Sequence, residues 1–239
     1  MLYEERTYRS LINKDNITSY NVKIAESDLL ISSDTNLADL AYKSLLKHRN
    51  FIESYIKNHP EFRTSLLPLA ENDLAPPIVR EMLSKSKICS VGPMASVAGA
   101  VSEFVGRDLL EKTVDLIIEN GGDIFLRSKT RVTVAIFAGE SALSYKLKLL
   151  VKPEDTPVGI CTSSATVGPS LSFGKADAVC VISKSSTLAD AAASAIGNRV
   201  KSKKDIKKSL DYGINIPGVK GIVIICGNDM GAIGEVEFS

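Results

Sequence analysis

Hydrophobic and polar positions alternate near the start of the chain and take on a helical period further along. Tyr20, Val22 and Ile24 alternate with polar residues, and the apolar run 29–31 follows, which predicts two short antiparallel strands. Apolar residues from 37 to 56 then recur every three or four positions until Pro60, which predicts a long amphipathic helix. The first quarter of the chain therefore predicts a strand pair followed by a helix.

The segment 91–100 consists almost entirely of small and apolar residues. It predicts a buried helix that starts near Pro93, because small side chains allow another group to approach the backbone closely. The approaching group could be a ligand or a second copy of the chain, so a homodimer remains open. An earlier helix is predicted from Ile78 to about Lys85, opened by the proline pair at 76–77.

The second half of the chain is dominated by short apolar runs. Asn120 and Gly121 predict a tight turn between the strands 114–118 and 124–126. One further helix is predicted at 188–200, and strands are predicted at 132–137, 145–151, 158–162, 178–182, 221–226 and 233–238. Strands that arrive in hairpin-like runs with helices between them indicate an α+β fold with antiparallel sheets and packed helices.

Composition and charge exclude several classes of protein. The 239 residues are 44% hydrophobic and 24% charged, which is typical of a globular protein and not of a disordered chain. A net charge of +1 provides no global field for nucleic acid or an anionic membrane. The basic run 199–208 lacks interleaved aromatic residues, and a solvated helix face explains it. With no long apolar stretch or signal-peptide pattern, we expect a cytoplasmic protein that binds neither nucleic acid nor membranes.

The cysteines and histidines do not form a catalytic or zinc-binding pattern. The four cysteines lack any C-x-x-C pair and lie among apolar or small neighbours, so buried thiols in a reducing compartment explain them. His48 and His59 lie near neither a Gly-x-Ser-x-Gly segment nor a cysteine-nucleophile signature. A hydrolytic triad is therefore not predicted.

Asp190 and Ser194 are the first candidate for chemistry, because four residues apart on a helix they share one face. Their oxygen atoms are the hard ligands that Mg²⁺ takes beside a phosphate. The alternative is that Asp190 stabilises the helix through its dipole and Ser194 is a small packing residue.

Two further segments could contact an anionic ligand. The segment 161–174 holds six hydroxyl groups and two glycines after a predicted strand, including Thr162, Ser163 and Ser164. Such a loop can turn N–H groups and hydroxyls toward a phosphate, although it does not match a Walker loop and a plain surface loop is the alternative. The segment Gly121, Gly122 and Asp123 has one glycine more than a tight hairpin needs.

The segments 91–95, 120–123, 161–164, 170–178 and 188–191 together resemble an uncharacterised protein family related to ApbE. ApbE-like enzymes are flavin transferases that use Mg²⁺ and FAD to attach FMN to a Ser or Thr hydroxyl of a target protein. The resemblance to the uncharacterised branch spans most of the chain. It implies one ApbE-like (T-fold-like) domain over residues 1–239 and a small-molecule nucleotide ligand.

The resemblance also implies roles for individual residues. Asp190 matches the magnesium-binding aspartate of the transferases, and Ser194 falls where they have a threonine ligand. Gly121, Gly122 and Asp123 match the Gly-Gly-Asp segment near the flavin, and the stretch Thr162, Ser163 and Ser164 falls at a corresponding strand end.

Other parts of the chain depart from the transferases. No lysine is present at 97–99, where the transferases have Ala-Lys-Gly, their His-x-x-Asp-Pro segment is absent, and Pro169 stands where the uncharacterised branch has histidine. Two functions therefore remain, which are Mg²⁺-dependent FMN transfer or pyrophosphate cleavage of FAD, and non-catalytic binding of a flavin or nucleotide. A third alternative is an interaction protein whose small residues serve only packing.

Overall fold

Eight strands form one antiparallel sheet in a computed structural model that describes residues 17–166 and 172–239. Along the sheet the strands are ordered β1-β2-β3-β4-β7-β8-β9-β10, and β5 pairs with β6 in a separate small sheet. The bounds are β1 Thr18–Ile24, β2 Ser27–Ser33, β3 Leu116–Asn120, β4 Asp123–Arg127, β5 Val132–Ala135, β6 Lys148–Val151, β7 Val158–Ser163, β8 Ala178–Ser183, β9 Val219–Cys226 and β10 Asp229–Gly234.

The helices lie between these strands in the chain. They are α1 Ala38–Asn58, α2 Glu61–Thr64, α3 Pro77–Cys89, α4 Val97–Leu109, α5 Ser186–Gly197 and α6 Ile206–Ile214. A short 3-10 helix, Pro93–Ser96, leads into α4. In the described part of the chain no single helix is long and apolar enough to cross a membrane, and only the bent pair of α3 with Pro93–Leu109, at 102°, meets the length and composition criteria together.

Both faces of the large sheet are covered. On one face α1, α3 and α4 pack over β2, β3 and β4, and α5 and α6 pack over β7, β8 and β9. The opposite face packs against β5 and β6. In β3, Leu116 and Ile118 enter the helical layer whereas Ile117 enters the other, so the whole run is buried. Burial on both faces explains why these strands appear in the sequence as continuous apolar runs instead of alternating patterns.

The sequence predictions of α+β class, of the amphipathic helix α1 and of the hairpin pairs are confirmed. The predicted Asn120–Gly121 turn is shifted by one residue. Asn120 is paired with Asp123, and the turn consists of Gly121 and Gly122, with φ of +66° and +102°. Two consecutive residues at positive φ favour glycine at both positions, and this explains the second glycine.

The sequence predicts the last strand at 233–238, whereas in the structure it spans Asp229–Gly234. It begins there because Gly227, at a φ of +65°, turns the chain so that Asp229 pairs with Cys226. The short helix α2 after Pro60 was not predicted. One turn of helix is too short to produce a periodic pattern.

Candidate functional site

Two of the predicted segments meet at one end of the large sheet. Asp123 begins β4 and pairs with Cys161 in β7, which ends at Ser163. A Cβ on Gly122 would lie 3.7 Å from the carbonyl oxygen of Thr162. The hairpin glycines therefore stand beside the end of β7. We call this end, where β4 begins and β7 ends, the site end of the sheet.

Helix α5 runs along β7 toward the site end. The start of α5 packs against Gly159 of β7, since a Cβ added to Gly159 would lie 2.4 Å from the Cα of Ser186. The end of α5 lies near Ser163, since a Cβ added to Gly197 would lie 3.7 Å from Ser163 Oγ. Asp190 and Ser194 lie between these points, one helical turn apart, and both are partly exposed while most of α5 is buried. The structure therefore brings Asp190 and Ser194 to the same region as Gly122, Asp123, Thr162 and Ser163.

Asp123 and Asp190 lie close enough for the charge of one to act on the other. Burial raises the pKa of Asp190 to about 7, although backbone N–H groups of Gly99 and Ala98 bonded to its carboxylate favour the charged form. Burial, and after it the negative charge of Asp190, raise the pKa of Asp123 well above its ordinary value. A carboxylate beside a second negative charge binds either a proton or a cation more readily than an isolated one does.

Asp190 also caps a helix. Its Oδ2 accepts a hydrogen bond of 2.8 Å from the backbone N–H of Gly99, in the first turn of α4, and the N-cap residue Ser96 provides no side-chain bond there. An added Cβ on Gly99 would lie 2.7 Å from Asp190 Cβ and 2.3 Å from the carbonyl oxygen of Ser186. The small-residue segment predicted from the sequence therefore brings α4 directly against α5 and the candidate site.

A second carboxylate makes the reciprocal contact. Glu103 of α4 is fully buried, and its Oε2 accepts hydrogen bonds of 2.9 Å from Ser185 Oγ, Thr187 N and Thr187 Oγ1 at the start of α5. Arg107 donates to the other oxygen, Oε1. Each helix thus provides a carboxylate that caps the other. Sequence analysis missed Glu103, although a lone acidic residue within the apolar run of α4 was a signal that it needs buried partners.

The oxygen donors of Asp190 and Ser194 fit a hard divalent cation in type. Ser194 Oγ has no hydrogen-bond partner among the described residues, and it lies one turn from a carboxylate of raised pKa. In residues 17–166 and 172–239, this site included, no group of three or more His, Cys, Asp or Glu side chains is arranged to hold a metal ion. A cation here would therefore have few protein ligands, as Mg²⁺ sites that share a phosphate usually do.

The cysteines near the two carboxylates are poor nucleophiles. Cys161 Sγ lies 3.3 Å from the carbonyl oxygen of Ser186, and burial raises the pKa of this thiol well above its ordinary value. Burial also raises the pKa of Cys89 to about 12 and that of Cys180 to about 11. These three cysteines are buried packing residues, as the sequence predicts, while Cys226 is partly exposed.

The hydroxyl-rich loop is described only in part. Ser164 Oγ accepts from the N–H of Thr166 and so fixes the local turn, while the segment 167–171, with Pro169, lies outside the described residues. Beyond it, Gly174 lies against the C-terminal end of α5, where a Cβ would be 1.9 Å from the carbonyl oxygen of Gly197. Gly174 therefore also lies at the site end.

Comparison with known proteins places this arrangement in a family. The family model described as AbpE bacteria matches residues 9–232. The chain belongs to this family. It is 41% identical over 219 residues to a UPF0280 protein of Methanocaldococcus jannaschii, with 89% of each chain covered, and 38% identical over 221 residues to a UPF0280 protein of Methanococcus aeolicus, with 90% and 89% covered.

The fold of this family member is similar to that of a solved transferase. The apo form of the Pseudomonas stutzeri flavinyl transferase ApbE superposes with a TM-score of 0.60 at 13% identity, covering 93% of this chain and 95% of the other. At that identity the likeness concerns the fold. The protein therefore belongs to the UPF0280 branch of the ApbE-like superfamily, as the sequence motifs imply.

Proposed function

We propose that this protein binds FAD or a related phosphoanhydride nucleotide together with Mg²⁺ at the site end of the sheet. The observation that carries the proposal is the acidic pair Asp123 and Asp190 beside Ser194, whose hydroxyl group has no partner among the described residues. The similarity of the fold to a flavinyl transferase supports the choice of a flavin dinucleotide among such ligands.

Asp190 and Ser194 would hold the cation. When bound, Mg²⁺ would neutralise charge on the two phosphates of the dinucleotide and favour attack at phosphorus. Asp190 Oδ2 already accepts from Gly99, so the cap fixes the carboxylate in place, and a fixed ligand loses less entropy on binding.

The hairpin and the end of β7 would receive the nucleotide. A Cβ on Gly121 would meet nothing within 4 Å, so the backbone here is open to a ligand. Thr162 and Ser163, both partly exposed, place hydroxyl groups next to the same backbone, and Ser164 follows them. Hydroxyl and N–H groups of this kind bind phosphate without requiring a net positive charge.

A non-catalytic binding role is the second candidate function. The segment 97–99 has no lysine, and Gly99 is pressed against Asp190, so no cationic side chain from this turn reaches the carboxylates. Binding of FAD without turnover is the outcome that this candidate predicts.

Titration of FAD by fluorescence, with and without Mg²⁺, tests the proposal. Asp190→Asn is the informative variant, because an amide oxygen can still accept from Gly99 N–H while the charge is lost. We expect saturable binding that requires Mg²⁺ and is abolished in Asp190→Asn and weakened in Ser194→Ala. Asp211→Asn, on the exposed side of α6, is the matched control and should bind as the unaltered protein does.

Release of FMN and AMP from FAD then separates the two candidate functions. Turnover that requires Mg²⁺ and Asp190 supports an enzyme, whereas tight binding without products supports a binding protein. Absence of FAD binding under both conditions would refute the flavin proposal.

A further inference from the structure

Positive charge is concentrated in one short part of the chain. Residues 199–208 contain six cationic side chains and one carboxylate, whereas the whole protein has a net charge of only +1. The single carboxylate, Asp205, is engaged by Ser202 Oγ and by the backbone N–H groups of residues 201 and 202. It caps the local 3-10 turn and leaves the lysines around it largely uncompensated.

The structure places these lysines at the site end of the sheet. Lys203 forms an ion pair of 3.3 Å with Asp229, which pairs with Cys226 where β9 turns into β10. In the register of the sheet that turn stands on the same side as Ser163, with β8 and β9 between. Three strand spacings separate β7 from β10, or roughly 15 Å, so the lysines border the candidate site.

Two lysines of this run have partners, because Lys203 is paired with Asp229 and Lys201 Nζ donates to the carbonyl oxygen of Phe173. Within the described residues, Lys175, Lys204, Lys207 and Lys208 have no acidic partner. We call the exposed lysines 175, 201, 203, 204, 207 and 208 the basic face. The six lysines of this face outnumber the carboxylates in the same region, Asp177, Asp205 and Asp229, so a nearly neutral protein has a local positive potential here.

An exposed aromatic ring stands between the basic face and the site. Phe173 is 52% exposed, yet its backbone is held on both sides, because its N–H donates to Asn198 Oδ1 at 2.9 Å and its carbonyl accepts from Lys201 Nζ. Its neighbour Gly174 lies against the end of α5 beside Ser163. An exposed aromatic ring on a fixed backbone can contact an apolar side chain of a polypeptide, since aromatic residues are enriched at protein interfaces.

We propose that the basic face and Phe173 form a docking surface for an acidic polypeptide segment. The inference goes beyond the proposed function, because peptide binding at this face does not depend on whether the site end of the sheet binds FAD. The charge of the face selects an acidic segment, and Phe173 contacts an apolar side chain within that segment.

The spread of the lysines along the chain favours a polypeptide over a second nucleotide. They extend from 201 to 208, into the start of α6, whereas the phosphates of a dinucleotide need groups that converge on a few ångströms. No other aromatic side chain is interleaved among the lysines of the run 199–208, so stacking of successive bases is not provided. An extended chain with several carboxylates matches lysines spread along a surface.

Fluorescence anisotropy with the whole protein tests the proposal. The probe is a short labelled peptide of alternating Asp and Glu with one Leu and one Thr, compared with the same peptide carrying Asn and Gln. We expect the acidic peptide to bind about tenfold or more tightly than the neutral one, with an affinity that falls as salt is raised. The combined variant Lys204→Glu, Lys207→Glu and Lys208→Glu should lose about tenfold or more of that affinity.

Matched variants separate a docking surface from overall charge. Lys43→Glu, Lys57→Glu and Lys112→Glu together make the same change of charge at exposed positions elsewhere, and they should leave binding within about twofold. Phe173→Ala should weaken the acidic peptide without changing the salt dependence. Equal losses in both triple variants, or equal binding of the neutral peptide, would overturn the proposal.

Two further measurements check the folding of the basic-face variant and the chemistry of its ligand. The variant should still bind FAD with Mg²⁺ as the unaltered protein does, and an unchanged thermal melt shows that it folds. If the unaltered protein does not bind FAD, the proposed function is refuted. If it binds FAD but not the acidic peptide, only the docking surface is refuted. An RNA oligonucleotide of equal charge that binds more tightly than the acidic peptide would also overturn the proposal.

Discussion

Replacing Glu103 by alanine removes the acceptor that holds the first turn of α5. Three hydrogen bonds of 2.9 Å end on its Oε2, from Ser185 Oγ, Thr187 N and Thr187 Oγ1, and the carboxyl group is fully buried. The two hydroxyl groups can rotate toward other acceptors. The backbone N–H of Thr187 cannot, so it is left buried and unsatisfied.

The magnitude follows from these contacts. An unsatisfied buried donor costs about 1–3 kcal/mol, and loss of a helix cap costs about 1 kcal/mol. Arg107, which pairs with the lost carboxylate, is half-exposed and is rehydrated, so its loss of a partner adds little, and we expect the free energy of unfolding to fall by about 2–4 kcal/mol in total. For a chain of this size that corresponds to a melting temperature lower by roughly 10 °C.

Urea unfolding and thermal melting measure the effect. Glu103→Gln should lie between the alanine variant and the unaltered protein, since one amide oxygen can still accept from Thr187 N while its NH₂ group is a donor. Glu111→Ala, just beyond the end of α4 and exposed, is the control and should change the free energy of unfolding by less than about 0.5 kcal/mol. If Glu103→Ala unfolds within about 1 kcal/mol of the unaltered protein, the reciprocal capping contributes little and the reasoning is wrong.

Three other predictions concern the site. The pKa of Asp190 is raised from an ordinary 3.8 to about 7 in the folded state. Between these values the folded protein binds more protons than the unfolded chain does, so the free energy of unfolding should fall as pH rises from about 4 to 7. Asp190→Asn should flatten this decline in pH-dependent urea titrations, and Mg²⁺ should raise the melting temperature more at pH 8 than at pH 5.5, because protons compete with the cation. Gly99→Ala should lower the free energy of unfolding by about 1–3 kcal/mol, since the new methyl group would lie 2.3 Å from the carbonyl oxygen of Ser186, and an unchanged melt would contradict the close approach of α4 to α5. Gly121 and Gly227 have φ of +66° and +65°, and an added Cβ would meet nothing within 4 Å at either position, so Gly121→Ala and Gly227→Ala should each cost about 1 kcal/mol of backbone strain. Only Gly121→Ala should also weaken FAD binding. Equal effects of the two variants on FAD binding would count against a ligand at the hairpin.

Local patterns in the sequence predict most of the secondary structure. The helical period of 37–56, the alternation at Tyr20, Val22 and Ile24, and the apolar runs of the later strands depend on neighbours a few positions apart, and the structure confirms them. Boundaries were less accurate where one residue decides them. The turn at Gly121 and Gly122 and the start of β10 at Asp229 depend on positive φ and on strand pairing, which an apolar pattern does not record.

The sequence by itself also indicated which residue types could bind a phosphate and a cation, through Asp190, Ser194, the hairpin glycines and the hydroxyl groups after β7. Only the tertiary structure decided that the charge of Asp190 raises the pKa of Asp123, that Glu103 and Asp190 cap each other's helices, and that the lysine run borders the same end of the sheet. These contacts join residues far apart in the chain. They follow from the order of strands in the sheet and the close crossing of α4 and α5, because long-range pairing and burial, and not local periodicity, determine which distant side chains meet.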